Sequence, residues 1–184
     1  MRVIAGRAGG VRLAVPKAGV RPTMDRVKAA IFSSLGDVII GAQILDLFAG
    51  SGALGIEALS RGAASVLFVD EDPQSISAIE KNLAKTKFQA GVRKQDVFNF
   101  LRRFPSTKKF RVIFADPPYE RMGPGASYTE KLLSCQALCE IIEPEGFFVL
   151  EKHPSETIPE MKWSVVRAKT YGATEVLFLR RANR

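Results

Sequence analysis

Ile44-Leu45-Asp46-Leu47-Phe48-Ala49-Gly50-Ser51-Gly52-Ala53-Leu54-Gly55 is an apolar run broken by one acid, then a glycine turn, then the start of a second apolar run. The first part, Ile44 to Phe48, is short and nearly continuous and reads as a buried strand. After Gly50-Ser51-Gly52 the chain enters a helix, roughly Ala53 to Arg61, that Gly62 can terminate. A buried strand feeding a helix through a tight turn is the opening unit of a parallel α/β sheet. Gly50 to Gly55 also fits the G-x-G-x-x-G spacing of dinucleotide-binding turns, with an acid, Asp70, further on. The pattern by itself says that backbone approaches a ligand closely, because glycine has no Cβ and tolerates unusual φ.

The same alternation continues downstream. Ser65 to Val69 forms a strand ending in Asp70, and Asp72-Pro73 supplies an N-cap and first helical position for a helix with the buried stripe Ile76, Ile79 and Leu83. A weaker strand falls near Gly91-Val92-Arg93, followed by Asp96 and a short helix carrying Val97, Phe100 and Leu101. Phe110 to Ala115 is the next strand. A helix near 128–141 leads to the strand Gly146 to Glu151, and two runs, Trp163 to Ala168 and Thr174 to Leu179, flank Tyr171-Gly172 as a closing hairpin. Upstream, Thr23 can cap a helix with apolar positions Val27, Ala30, Ile31, Ser34 and Leu35, ended by Gly36. The expected fold is α/β, a mostly parallel doubly wound sheet with an antiparallel C-terminal edge. Such sheets bind ligands outside the carboxyl ends of their strands, and Asp46, Asp70, Asp96 and Asp116 all fall at or near such ends.

With 184 residues, 46% hydrophobic and 25% charged, the chain suits one well-buried domain. Residues 1–22, alternating short apolar runs with Gly6, Gly9-Gly10, Pro16 and Gly19, read as a basic hairpin or arm on a domain of residues 23–184. The net charge of +8 is uneven. Residues 1–28 carry seven basic residues against Asp25 alone, residues 162–184 carry six against Glu175, and the centre is net acidic. Basic ends around an acidic middle suggest a polyanion held by the termini, with Arg2, Arg7 and Arg12 as candidate contacts. The N-terminus lacks a secretory leader's apolar stretch, and no segment is long enough to span a bilayer, so a cytoplasmic protein without membrane attachment is expected. Cys135 and Cys139, four apart on the expected 128–141 helix, and the single His153 fall short of the four ligands of a structural zinc site; no metal is expected.

The four acids discriminate between nucleotide-like ligands. Asp46 lies just before the glycine turn, where an NAD pyrophosphate would sit, and no proton donor for hydride chemistry is evident. S-adenosylmethionine, carrying an ammonium and a sulfonium and no phosphate, fits better. Asp46 can bind the ammonium, Gly50 and Gly52 admit the methionine part, Asp70 accepts the ribose hydroxyls, and Asp96 with the Val97 N–H reads the adenine edge; Phe48, Glu71 and Asp116 complete the expected cofactor contacts. Asp116-Pro117-Pro118-Tyr119 adds a carboxylate, carbonyls fixed by two prolines, and an aromatic plate at a strand end. Asp116 and a carbonyl of the Pro117-Pro118 unit can take the two hydrogens of an exocyclic base amine while Tyr119 stacks on the base, worth about 1–3 kcal/mol. Gly123-Pro124-Gly125 makes the following loop a candidate lid.

Taken together, the chain resembles the class I methyltransferases, and more closely the RsmD-type 16S ribosomal RNA guanine-N2 methyltransferases. The resemblance runs through Arg2-Val3-Ile4-Ala5-Gly6, Arg21-Pro22-Thr23-Met24-Asp25-Arg26-Val27, Leu45 to Gly55, Glu57-Ala58-Leu59-Ser60-Arg61-Gly62-Ala63 and Asp116 to Tyr119. It implies a seven-stranded Rossmann-like sheet and methylation of one guanine N2 in small-subunit rRNA, with Arg21 and Thr23 lining the substrate entrance. The chain is expected to act as a monomer on a small-subunit assembly particle. Asp70 stands where the family usually has glutamate, and Ala29 and Ile31 where it usually has Glu and Leu. Methyl transfer to adenine N6 or to protein glutamine, an NAD-binding oxidoreductase, and an RNA-binding assembly factor that holds the cofactor without turnover are the alternatives.

Overall fold

The computed structural model describes residues 1–16, 25–118, 127–156, 158 and 162–182. Arg21, Thr23, Tyr119 and the Gly123-Pro124-Gly125 loop lie outside the described residues. Seven strands form one sheet: β1 Gln43–Leu47, β2 Ser65–Asp70, β3 Gly91–Lys94, β4 Phe110–Ala115, β5 Ile142–Lys152, β6 Trp163–Tyr171 and β7 Thr174–Arg181. Their order is β3-β2-β1-β4-β5-β7-β6. The first five run parallel, and β7 lies antiparallel between β5 and β6. The closing hairpin thus inserts its second strand beside β5 and leaves β6 at the edge.

Both faces of the sheet are covered, as strands buried on two sides require. One face packs α1 (Asp25–Leu35), α2 (Ala53–Ser60) and α3 (Pro73–Thr86) against Ile44, Phe68, Phe114, Val149 and Phe178. The other packs α4 (Val97–Arg103), α5 (Tyr128–Ser134) and α6 (Gln136–Ile141) against Leu45, Val69, Ile113, Phe148 and Leu177. Asp72 is the expected helix cap, accepting from the N–H groups of Gln74 and Ser75, and Asp96 caps α4 as well by accepting from that of Asn99.

Two elements differ from expectation. In α1 the buried stripe is Val27, Lys28, Ile31, Phe32 and Leu35, while Ala30 and Ser34 are only half-buried. The helix turns so that the Phe32 ring meets Phe114 at 5.7 Å between centroids, and the ammonium of Lys28 finds a carboxylate in α2. The helix expected over 128–141 is two helices, broken where Cys135 takes an extended conformation (φ −69°, ψ 107°). A continuous helix would carry Leu138 roughly 240° around the axis from Leu132. The break lets both reach the core, where each is fully buried.

The first 16 residues form a small hairpin, bridged at Arg2 and Arg12 and closed by Val3 N–H to the Val11 carbonyl (2.9 Å) and Gly10 N–H to the Val3 carbonyl (2.9 Å). It is docked rather than free. Val3, Ala8 and Leu13 are buried in the core, and Ile4 and Ala5 donate their N–H groups to Glu57 of α2 at 2.7 and 3.0 Å. Gly6 makes this approach possible, since a Cβ there would lie 1.9 Å from the Ser60 carbonyl oxygen.

Candidate functional site

Strand pairing places the acids on one face of the carboxyl edge, with Asp46 two residues deeper than the others. Asp46 of β1 is in register with Phe68 of β2 and Phe114 of β4, and Phe114 with Val149 of β5. Side chains alternate along a strand, so residues two further on share the face. Asp70, Asp116 and Glu151 therefore project, like Asp46, from the α1–α2 face at the carboxyl edge. Asp96, just beyond β3, ends the neighbouring strand at the same edge. The four aspartates expected from the sequence thus lie at or just beyond the carboxyl ends of four adjacent strands.

The glycine turn wraps onto this row. Phe48, Gly50 and Gly52 all take positive φ, 53°, 55° and 75°. The turn doubles back tightly enough for the Gly50 N–H to donate to Asp70 Oδ2 (2.8 Å) and the Gly55 N–H to Asp46 Oδ2 (2.9 Å). Asp70 Oδ1 accepts in addition from the Asp72 N–H (2.9 Å). Gly55 is a packing requirement: a Cβ there would stand 2.3 Å from the Phe68 ring. Of the N–H groups available to a pyrophosphate at this turn, those of Gly50 and Gly55 are thus engaged by the protein's own carboxylates and that of Gly52 by the Ala49 carbonyl.

The row is electrostatically crowded. Asp46 is 2% exposed, and burial, with the charges of Asp116 and Asp70, pushes its carboxyl up to about 8 against the lowering effect of the Gly55 N–H. Burial, chiefly, also raises Asp70. Glu151 is pushed well above the usual carboxylate range by burial and then by Asp116 and Asp46. Among the described residues no basic side chain forms an ion pair with Asp46, Asp70 or Glu151. Lys152, the nearest cation in sequence, alternates away from the row and pairs with Glu175 at 2.7 Å. A crowded row in which Asp46, Asp70 and Glu151 have no cation partner among the described residues favours a positively charged ligand.

Around the row stand the other residues read from sequence. Pro117 is buried directly after Asp116, Glu71 is exposed after Asp70, and Val97 opens α4 with its side chain buried. Three residues were not legible as site components: Glu151, and the rings of Phe98 and Tyr128, which stack at 6.0 Å and 15° and meet Phe48 edge-on at 6.3 and 5.4 Å. Glu151 repeats the signal of the others, an acid ending an apolar strand.

The basic ends occupy different places. Arg2, Arg7 and Arg12 are exposed on the hairpin, which borders the site where Ser51 Oγ meets Met1 Sδ at 3.5 Å. Arg2 and Arg12 face one another across the hairpin bridge, a like-charge pairing relieved among the described residues by Asp25, 3.5 Å from Arg2. Arg167 and Lys169 lie on β6, at the far edge of the sheet from β3. Lys28 is wholly buried and adds nothing to the surface charge. Among the described residues, no His, Cys, Asp and Glu cluster could hold a metal ion, and no helix is long and apolar enough to cross a membrane.

The family model described as conserved hypothetical protein 95 matches residues 1–180. The chain is 35% identical over 176 residues to the ribosomal RNA small subunit methyltransferase D of Escherichia coli (strain K12), covering 94% of this chain and 85% of that protein. It is 36% identical over 180 residues to the protein of the same name from Haemophilus influenzae, covering 94% and 89%. Among solved structures it resembles a hypothetical protein of Thermus thermophilus, with a TM-score of 0.82, 29% identity and 99% of each chain covered.

Proposed function

The chain belongs to the conserved hypothetical protein 95 family, the RsmD family, and from that premise we propose that it is an S-adenosylmethionine-dependent rRNA methyltransferase acting on the exocyclic N2 amine of a guanine in 16S rRNA. The observation that carries this reading is the set of Asp70, Asp46 and Asp116 on adjacent parallel strands, with the Gly50 and Gly55 N–H groups already engaged by Asp70 and Asp46. That arrangement suits a cationic nucleoside and argues against an NAD pyrophosphate. Asp46 answers the ammonium, Gly50 and Gly52 leave room for the amino-acid part, and Asp70 with Glu71 meets the ribose. Asp96, the Val97 N–H and Phe48 border the base. S-adenosylmethionine supplies an electrophilic methyl group on sulfur.

The remaining chemistry belongs to the chain. Guanine N2 is a weak nucleophile because its lone pair is delocalised into the ring. Asp116 and a carbonyl of the Pro117-Pro118 unit hold its two hydrogens and turn the lone pair outward, with Tyr119 against the base face. The amine sheds its proton along the hydrogen bond to Asp116 as the new N–C bond forms. A base inside a helix must leave its stack to reach such a pocket. Arg2, Arg7 and Arg12, with Arg21 and Thr23, hold the RNA beside it, and the crowding of Arg2 against Arg12 is relieved by a bound phosphate. The substrate is a small-subunit particle in the cytoplasm, and the enzyme works as a monomer. The test is incubation with methyl-labelled S-adenosylmethionine and small-subunit particles: label in N2-methylguanosine is expected, and label in adenine, in protein or nowhere would overturn the reading.

A further inference from the structure

Glu151 is the one member of the acidic row that the reaction described above does not use. It is the penultimate residue of β5, directly beside β4, and is only 3% exposed. Asp46 and Asp70 each accept backbone N–H groups, but Glu151 Oε1 is buried with no hydrogen-bond partner. Its partner in β7 is the apolar Val176, and the adjacent Lys152 faces away into Glu175. A buried acceptor left unpaired destabilises the fold. Such a group, held in a row of acids at the ligand edge and aligned with Asp116, calls for a donor brought by a ligand.

The position in the row indicates which donor. Along the sheet edge the order is Asp70, Asp46, Asp116, Glu151, so the cofactor acids lie on one side of Asp116 and Glu151 on the other. Neighbouring strands are about 4.8 Å apart, which lets two carboxyl groups flank one edge of a purine. Guanine presents N1–H directly beside N2–H₂ on that edge, two adjacent donors. Adenine presents a bare N1 lone pair beside its N6 amine, which would oppose an oxygen acceptor. Resting on the methyl-transfer reading above, we infer that Glu151 is a specificity-determining residue that accepts the guanine N1–H through Oε1 while Asp116 holds the N2 amine. The oxygen accepts whether or not the other oxygen of the same carboxyl carries a proton, so the role does not depend on titration.

The test uses the full chain loaded with S-adenosylhomocysteine and measures the affinity of guanosine and of 2-aminopurine riboside, which keeps the N2 amine but has a lone pair in place of N1–H. The unmodified protein is expected to prefer guanosine by about tenfold or more, in line with the discrimination of a paired hydrogen-bond edge. Glu151→Gln, whose amide can accept from guanine or donate to the bare N1, is expected to bring the two within about threefold by improving 2-aminopurine riboside binding. A purely structural residue would instead weaken both nucleosides together and leave their ratio intact. Glu151→Leu is expected to raise Tm by about 2–4 °C, the scale for removing an unsatisfied group worth about 1 kcal/mol in a chain of this size, while S-adenosylhomocysteine affinity is kept. The inference is overturned by an unchanged ratio in Glu151→Gln, by no preference or no nucleoside binding in the unmodified protein, or by a fall in Tm for Glu151→Leu. Loss of methyl transfer to rRNA by the unmodified protein would sink the functional reading itself. Transfer without nucleoside discrimination would sink only the role of Glu151.

Discussion

Glu57 and Glu151 are both buried on the α1–α2 side of the sheet, and their surroundings are opposite. Glu57 is saturated: Oε2 accepts from the Ile4 N–H at 2.7 Å and lies 3.4 Å from the Lys28 ammonium, while Oε1 accepts from the Ala5 N–H at 3.0 Å and Arg61 Nε at 2.8 Å. Glu151 Oε1 has no partner and feels the charges of Asp116 and Asp46. The first carboxylate ties the N-terminal hairpin, α1 and α2 together. The second belongs to the acidic ligand edge and leaves one of its own oxygens unsatisfied. Burial alone therefore does not distinguish these two glutamates; the completeness of their hydrogen bonding does.

The sharpest way to break this contrast is Asp116→Ala. Methyl transfer to small-subunit particles should fall about 10²- to 10⁴-fold, the range for a positioned proton-handling group, with the unfolding midpoint little changed. A comparable loss of stability would move Asp116 to the structural class. Next in size is Glu57→Ala, which strands the Lys28 ammonium inside the core. Urea denaturation should show a loss of about 3–5 kcal/mol, as for other broken buried pairs, with methyl transfer per folded molecule nearly unchanged. A small effect would mean that hairpin and helices do not depend on this pair.

The acidic edge also makes a pH prediction. The folded pKa of Asp46 is raised to about 8, so its favourable effect on the ligand-free fold is complete below about pH 4, the unfolded value, and is lost as pH rises towards 8. Thermal melts from pH 4 to 8 should therefore fall less steeply for Asp46→Asn. S-adenosylmethionine affinity should show the reverse trend, climbing as Asp46 ionises and peaking near pH 8, above which an α-amino group, ordinarily at about 7.7–8.0, loses its charge. Isothermal titration across this range checks the sign, and a flat profile would remove Asp46 from the ammonium site. The smallest effect concerns the hairpin. Replacing Arg2, Arg7 and Arg12 by Gln should flatten the log–log dependence of RNA affinity on salt by about two to three. An unchanged slope would leave the hairpin with only its packing role.

The sheet and most of its edge were legible because a parallel sheet turns local strand-end residues into one row. Asp70 and Asp116 directly follow or close an apolar run, Asp46 interrupts one just before its end and Asp96 lies just past a weaker strand, and chain order sufficed to bring them to one edge. Glu151 carries the same local mark, yet its meaning depends on β5 lying beside β4, which only the assembled topology supplies. The Phe98–Tyr128 stack joins residues 30 apart through the packing of α4 and α5, and no periodicity announces it. Lys28 counted as a surface cation in the charge balance of the N-terminus, whereas its partner is Glu57, 29 positions away. In each case the missing information was a contact between elements rather than the character of a residue.

The central claim, that this acidic edge brings a methyl donor and a guanine together, is tested most directly by mapping modified nucleotides in small-subunit rRNA from cells with and without the gene. The account predicts one guanine whose N2 methyl disappears with the gene and returns with the unmodified chain but not with Asp116→Ala. An rRNA modification pattern that is the same in both cells would contradict it.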